Sequence, residues 1–308
     1  MSGFVDLQVN GYGGIDFNSD NVTVAEIEQA CVRLRSAGTH AFLPTIITAD
    51  LDAMCRRISQ VVDAIESSSL ASELVAGIHV EGPFISREPG YVGAHPVAAV
   101  CDASIDAVSR LLDAGRGYVR LVTLAPEVNG AARVIQFLTD QGIVVSGGHS
   151  NASIDQLCAG LDAGMAMFTH LGNGCPVTMH RHDNIINRVL SLADRMMISL
   201  IADGHHVPWF AMRNYLNSIP ESNVVIVTDA ISAAGLGPGK HRLGDQWVEV
   251  DESLAAWGEG RKQFAGCATE MNQMSAMLAS NHIATPEQVH RWTTENPGRV
   301  LKGVRYLF

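Results

Sequence analysis

Glu81, His149, His170 and Asp229 each close a short apolar run, in the stretches "HVEGPF", "VVSGGHSNA", "MFTHLGNG" and "VIVTDAIS". Two imidazoles and a carboxylate can hold a divalent ion and leave one coordination position open. Water in that position has its pKa lowered from 15.7 to roughly 7. Asp229 is suited to take the proton of such a water and deliver it to a leaving amine. Zn2+ is the expected ion, and Fe2+, Co2+ or Mn2+ also suit imidazole and carboxylate donors. One strand-end histidine by itself is ordinarily a hydrogen-bonded structural residue, and a Glu before Gly-Pro ordinarily belongs to a turn. What points to a reactive centre is their coincidence at successive run ends. A further run, "FVDLQVNG", ends on two amides, Gln8 and Asn10, which lie two apart and so share one strand face. They are neither acids nor bases, and they are poor ligands for a transition metal. The run "IADGHHV" adds Asp203, His205 and His206.

Side chains so far apart in sequence meet only if a fold gathers the run ends. Eight β-rich runs, at 4–9, 41–46, 75–80, 118–124, 143–146, 166–170, 197–202 and 223–228, alternate with helical patterns. Several of these runs, such as "VVIVT", are continuously apolar, as in strands buried on both faces. The clearest helix is "TVAEIEQACVRLRSAG", with Thr23 as N-cap, Glu26 three residues later and Gly38 closing it. The alternation predicts an α/β protein with a TIM-like (β/α)8 barrel, in which reactive groups gather at the C-terminal strand ends. The alternative is a doubly wound open sheet, but no GxGxxG fingerprint stands at a strand-to-helix turn. A length of 308 residues suits one such barrel, so residues 1–308 are expected to form a single catalytic domain. The Gly-rich stretch 232–265 reads as an irregular lid or loop over the mouth, followed by a helix at 270–279.

Composition narrows the partners. A net charge of −11 disfavours nucleic acid and anionic membrane, so neither is expected as a partner. The six cysteines are scattered without a CxxC pair and read as buried thiols in a reducing cytoplasm. The start "MSGFVDLQVN" has no basic n-region and no apolar core of a signal peptide. No run of about 20 apolar residues suggests a membrane span. The expected location is cytoplasmic.

The ordered set "HVEGPF", "GAHP", "TLAPE", "GGHSNAS", "THLGNGCP", "HRHD", "IADGHHV", "VTDAISAAG" and "TENPGRVLKG", from Gly3 to Gly303, resembles the N-acetylglucosamine-6-phosphate deacetylases of the amidohydrolase superfamily. The resemblance implies a barrel of the metal-dependent hydrolase type. It also implies hydrolysis of the acetamide of N-acetylglucosamine 6-phosphate to acetate and glucosamine 6-phosphate. By position, Glu81, His149 and His170 match the metal ligands, and Asp229 matches the catalytic aspartate. Ala94, His95, Asn173, Gly174, Arg181 and His206 match substrate-binding positions, with Arg181 on the phosphate. Gln8 and Asn10 stand where many amidohydrolases carry H-x-H for a second metal, so a single ion is expected. A homodimer acting on a small amino-sugar phosphate is the implied assembly. The matched motifs leave almost no sequence for the β-sandwich that usually flanks the family's barrel, so its absence is expected. Gly172 and Gly174, and "FAGCATEM" in place of a serine-rich segment, predict a wider pocket. Two alternatives stand beside this reading: a deacetylase for another N-acyl amino sugar such as N-acetylgalactosamine 6-phosphate, and a catalytically degenerate barrel that only binds sugar phosphate.

Overall fold

The computed structural model describes residues 3–244, 246–261 and 264–302. Gly303, where the matched stretch ends, lies outside them, as do the extreme ends of the expected 1–308 domain. The first element, β1 (Phe4–Val9), leads into a two-strand hairpin, β2 (Gly11–Tyr12) and β3 (Ile15–Asp16). The remaining central strands are β4 (Thr39–Ile47), β5 (Ile78–Glu81), β6 (Val119–Leu124), β7 (Val144–Gly147), β8 (Met167–Phe168), β9 (Met197–Ile201) and β10 (Val224–Val227). Their order is β1-β4-β5-β6-β7-β8-β9-β10, an eight-stranded sheet, and every pairing in it is parallel. A parallel bridge between Val9 and Ala230 brings the last strand back to the first. The sheet is therefore the expected TIM-like barrel.

The seam between β1 and β10 is stapled by a side chain. Asp6 Oδ1 accepts from the N–H groups of Gln8 and Thr228, both at 3.2 Å, and Oδ2 accepts from the Thr228 hydroxyl at 2.6 Å. Burial pushes the Asp6 carboxyl up to about 7, although the Thr228 and Gln8 hydrogen bonds pull the other way.

Helices surround the sheet because each has one apolar stripe to bury. In α1 (Val24–Ser36) the stripe is Ile27, Ala30, Cys31 and Leu34, and the start is the expected capping box of Thr23 and Glu26. In α2 (Leu51–Ser67) it is Met54, Ile58, Val61, Val62 and Ile65. The others are α3 (Ser69–Leu74), α4 (Ile105–Ala114), α5 (Ala131–Asp140), α6 (Ile154–Asp162), α7 (Ile185–Leu190) and α8 (Trp209–Ser218).

The stretch expected to be irregular is ordered instead. Strands β11 (Gly239–Leu243), β12 (Gln246–Val250), β13 (Ala255–Trp257) and β14 (Phe264–Cys267) form a four-stranded antiparallel sheet. Val248, Val250, Ala256, Ile231, Ala233 and Ala268 make a small apolar core of its own. The sheet is tied to the barrel by a bridge between Ala230 and Cys267 and by Ile231 N–H donating to the Cys267 carbonyl at 3.0 Å. The chain then continues through α9 (Met271–Ser280), α10 (Pro286–His290), a π-helical turn at Arg291–Glu295 and α11 (Asn296–Val300).

Candidate active site

Glu81 is the last residue of β5, and His149 and His170 follow β7 and β8 by two residues each. Barrel closure brings the three together in the mouth. Glu81 Oε1 lies 2.9 Å from His170 Nε2, 3.4 Å from His149 Nε2 and 3.1 Å from Gln8 Nε2, which donates to it. The imidazoles of His149 and His170 stand at 90° with centroids 5.0 Å apart. His95 sits edge-on to His149 at 4.4 Å, and the ligand-type atoms of Glu81, His95 and His149 lie within 4.8 Å of one another. Asp229 follows β10, and its Oδ1 accepts from Asn10 Nδ2 at 2.7 Å. The two amides at the end of β1 thus hold the two carboxylates, Gln8 on Glu81 and Asn10 on Asp229.

His149, His170 and Asp229 all adopt positive φ, at 49°, 32° and 51°. Non-glycine residues enter this region at a cost and do so where surroundings over-determine them. The surroundings are visible here. The His170 N–H donates to Ser199 Oγ at 2.8 Å, and the Ser86 N–H donates to the His149 carbonyl at 2.9 Å. Glu127 accepts from the Ser150 hydroxyl and the Asn151 N–H, both at 2.7 Å, which fixes the loop just after His149. Gly93 and Gly174 close on the His149 ring, where a Cβ on either would fall 2.9 Å from a ring atom.

Burial alone would raise the Glu81 carboxyl, but hydrogen bonds from His149 and His170, and their charge, hold it well below the usual range. Burial opposes charge on His170, yet Glu81 raises its imidazole above the ordinary value. Asp229 is raised by burial, with Glu81 adding to the rise while His170 and Asn10 oppose it. His95 is pushed down to about 3 by burial and by His149, so it is neutral.

The donor set fits a divalent ion. His149 Nδ1 lies 2.9 Å from the Tyr91 carbonyl oxygen, and a carbonyl only accepts, so Nδ1 carries the proton. Nε2 is then the nitrogen turned toward the Glu81 oxygen, 3.4 Å away, and is the atom that would ligate an ion held between them. A partner on the far nitrogen is the usual way a ligating imidazole is oriented. The residues match the two-imidazole, one-carboxylate type.

No family model matches the chain. A curated relative from Danio rerio, an N-acetylglucosamine-6-phosphate deacetylase, is 32% identical over 97% of this chain and 74% of its own length. The chain belongs to the N-acetylglucosamine-6-phosphate deacetylase family. The human member is 38% identical over 88% of this chain, which spans 66% of that protein's length. A solved deacetylase of the family from Mycobacterium smegmatis superposes with a TM-score of 0.87 at 28% identity, covering 99% of this chain and 80% of that one. Among the described residues, Glu81, His95 and His149 are candidate metal-binding residues in the barrel mouth.

Of the other positions matched to the family, His206 is held at the mouth, with Nδ1 2.6 Å from Asp203 Oδ2 and its ring 5.3 Å from that of Phe264. Asn173 and Gly174 share the loop of His170, while Ala94 is exposed on the loop of His95. Arg181 is exposed further along the His170 loop and has no hydrogen bond or ion pair among the described residues. The structure does not bring it to the metal-type donors. The wider pocket expected from Gly174 is corrected, because the space its missing Cβ leaves is taken by the His149 ring. Gly172 similarly faces Val207 and Tyr215. Sequence reasoning missed Ser199, the lone hydroxyl in the apolar run "MISLI", where its polarity was the available signal. It also missed the Tyr91 carbonyl, which leaves no side-chain signal.

Proposed function

We propose that this chain hydrolyses the acetamide of N-acetyl-D-glucosamine 6-phosphate to D-glucosamine 6-phosphate and acetate. The observation that carries this is Asp229, half-buried with its carboxyl raised, held beside the Glu81–His149–His170 donor set in a chain of the deacetylase family. Those three residues would hold one divalent ion, expected to be Zn2+, which supplies Lewis-acid polarisation of the carbonyl and acidifies the attacking water. Asp229 Oδ1 is occupied by Asn10. Its Oδ2 is left to take the water proton and then to deliver it to the leaving nitrogen. His206 and His95 line the bound sugar together with Ala94, Asn173 and Gly174. Gln8 and Asn10 occupy the place of a second metal's ligands and spend their amides on Glu81 and Asp229, which supports a mononuclear centre. Arg181 offers a planar fork to the sugar phosphate. Its exposed position suits a phosphate site completed in a cytoplasmic homodimer. We read the barrel as a single catalytic domain.

The test is a deacetylation assay of metal-reconstituted protein on phosphorylated and unphosphorylated N-acetyl sugars of both epimers. The expected result is turnover of N-acetylglucosamine 6-phosphate above the rest. A preference for N-acetylgalactosamine 6-phosphate would reassign the substrate, and a folded, metal-loaded but inert protein would sink the enzymatic reading. With Arg181→Ala, KM should rise for the phosphorylated sugars and stay level for the others.

A further inference from the structure

Among the described residues, a second group of three metal-type donors meets outside the Glu81 centre. Asp203 follows β9, His206 lies three residues later, and Cys267 ends β14. A carboxylate oxygen, an imidazole nitrogen and a sulfur from these residues lie within 4.8 Å of one another. Asp203 Oδ2 is 2.6 Å from His206 Nδ1 and 3.7 Å from Cys267 Sγ. Asp203 Oδ1 is pinned by the N–H groups of His205 and His206, at 2.8 and 2.9 Å, so the carboxylate cannot swing away. Asp203 and Cys267 are buried.

The spacing is close to that of a coordination sphere. Metal–sulfur bonds of about 2.3 Å and metal–nitrogen or metal–oxygen bonds of about 2.0–2.2 Å set donor–donor edges of roughly 3.3–3.8 Å in a tetrahedron. The oxygen–sulfur edge already has that length. The nitrogen–oxygen edge now holds a proton and has to open by under ~1 Å to hold an ion instead.

We propose that Asp203, His206 and Cys267 form a second cation site, selective for thiophilic divalent ions such as Zn2+ in excess or Cd2+, whose occupation blocks the enzyme. Thiolate ligation favours these ions over Mg2+ or Mn2+. Entry of the ion releases the Cys267 thiol proton to solvent and displaces the His206 proton from Nδ1. That proton is taken up on Nε2. The carboxylate, the thiolate and the freed Nδ1 lone pair then hold the ion, with no change of oxidation state. The imidazole is thereby turned from acceptor to donor at the atom it offers to the mouth, and it is no longer free to adjust to a substrate. The blocking half of the proposal rests on His206 touching the sugar, as in the reading above, whereas the binding half does not.

The experiment is a titration of the full, metal-loaded chain with cadmium chloride, followed by the ultraviolet thiolate-to-cadmium charge-transfer absorption. The Glu81 centre has no sulfur and does not contribute to it. A saturable band with one equivalent of Cd2+ is expected, lost in Cys267→Ser and kept in Cys175→Ser. Absence of the band, or a band of full amplitude in Cys267→Ser, overturns the site. In parallel, deacetylation is followed against Cd2+, each variant relative to its own uninhibited rate. Half-inhibition should need at least tenfold more Cd2+ in Cys267→Ser than in the parent chain, and equal sensitivity overturns the blocking role. A chain inactive on the sugar panel would defeat the proposed function and leave the absorption titration to decide the site.

Discussion

Asp229 is the residue on which the proposed chemistry turns. It sits in the left-handed region, half-buried, with Oδ1 accepting from Asn10 and Oδ2 left over. Asp229→Asn keeps the acceptor for Asn10 and removes the proton carrier. Turnover of N-acetylglucosamine 6-phosphate should fall about 10³-fold, within the usual range for loss of a general acid–base, while the thermal midpoint stays near that of the parent. Near-parental kcat in that variant would remove Asp229 from the mechanism. The four strand-end residues were legible in sequence because their polarity breaks apolar runs. The partners of the amides were not legible. Gln8 and Glu81 are 73 residues apart and Asn10 and Asp229 are 219 apart, so only closure of the barrel sets which carboxylate each amide meets.

At the scale of elements, the seam between β1 and β10 depends on a carboxyl that burial raises to about 7. An unfolded aspartate titrates near 3.9. Between about pH 4 and about pH 7 the folded chain therefore holds more protons at Asp6 than the unfolded chain does. Its contribution to stability falls as pH rises through that window and levels off above it. Asp6→Asn can still accept both N–H groups at Oδ1 and can donate from its amide to Thr228 Oγ1. Denaturant unfolding between pH 5 and 7.5 should give a flatter stability profile for this variant than for the parent chain. An unchanged slope would place the titration elsewhere.

The loop after β8 makes a second demand. Gly174 has φ 60°, and a Cβ there would strike the His149 imidazole. Gly174→Ala should weaken metal affinity roughly 10–100-fold, the usual penalty when a group that orients a ligand is disturbed, as read by titration calorimetry. Unaltered affinity would mean that His149 yields without consequence. The same backbone demands explain why several strand boundaries missed. The run expected at 166–170 is strand only at Met167–Phe168, since His170 needs a positive φ that no ladder allows. The run expected from Val75 starts at Ile78 because Gly77, at φ 151°, interrupts it. The small antiparallel sheet was missed for a different reason. Lys240, Arg242, Gln246 and Trp247 are exposed, so its strands carry little of the apolar signal that marks the barrel. Leu243 pairs with Gln246, and the intervening dipeptide is Gly-Asp, a hairpin signal that was there to be read.

For the whole molecule, the mouth gathers buried charge that an ion would complete, so binding and folding are linked. An ion present at a thousandfold excess over its dissociation constant stabilises the fold by about 4 kcal/mol. Removing it with a chelator should lower the thermal midpoint by on the order of 10 °C. Glu81→Gln should show no such difference with and without chelator, and a chelator effect retained in that variant would locate the ion elsewhere. No described helix is long and apolar enough to cross a membrane. The eight-strand order was legible from alternation alone. The walls of the mouth were not, because they are built from loops and from the added sheet.

That sheet has a practical consequence. Cys267 and Ile231 tie it to the strand end that carries Asp229, so it is part of the frame that aims the base. Remodelling there, even far from the sugar, would shift the aim of the base. In the loop after β8, Val177 and Thr178 are exposed, lie outside any strand, and are not tied to the Asp229 strand end in this way. An engineer wishing to graft a new acyl-sugar preference onto this barrel should lengthen or randomise the rim around 177–178 and leave the sheet untouched.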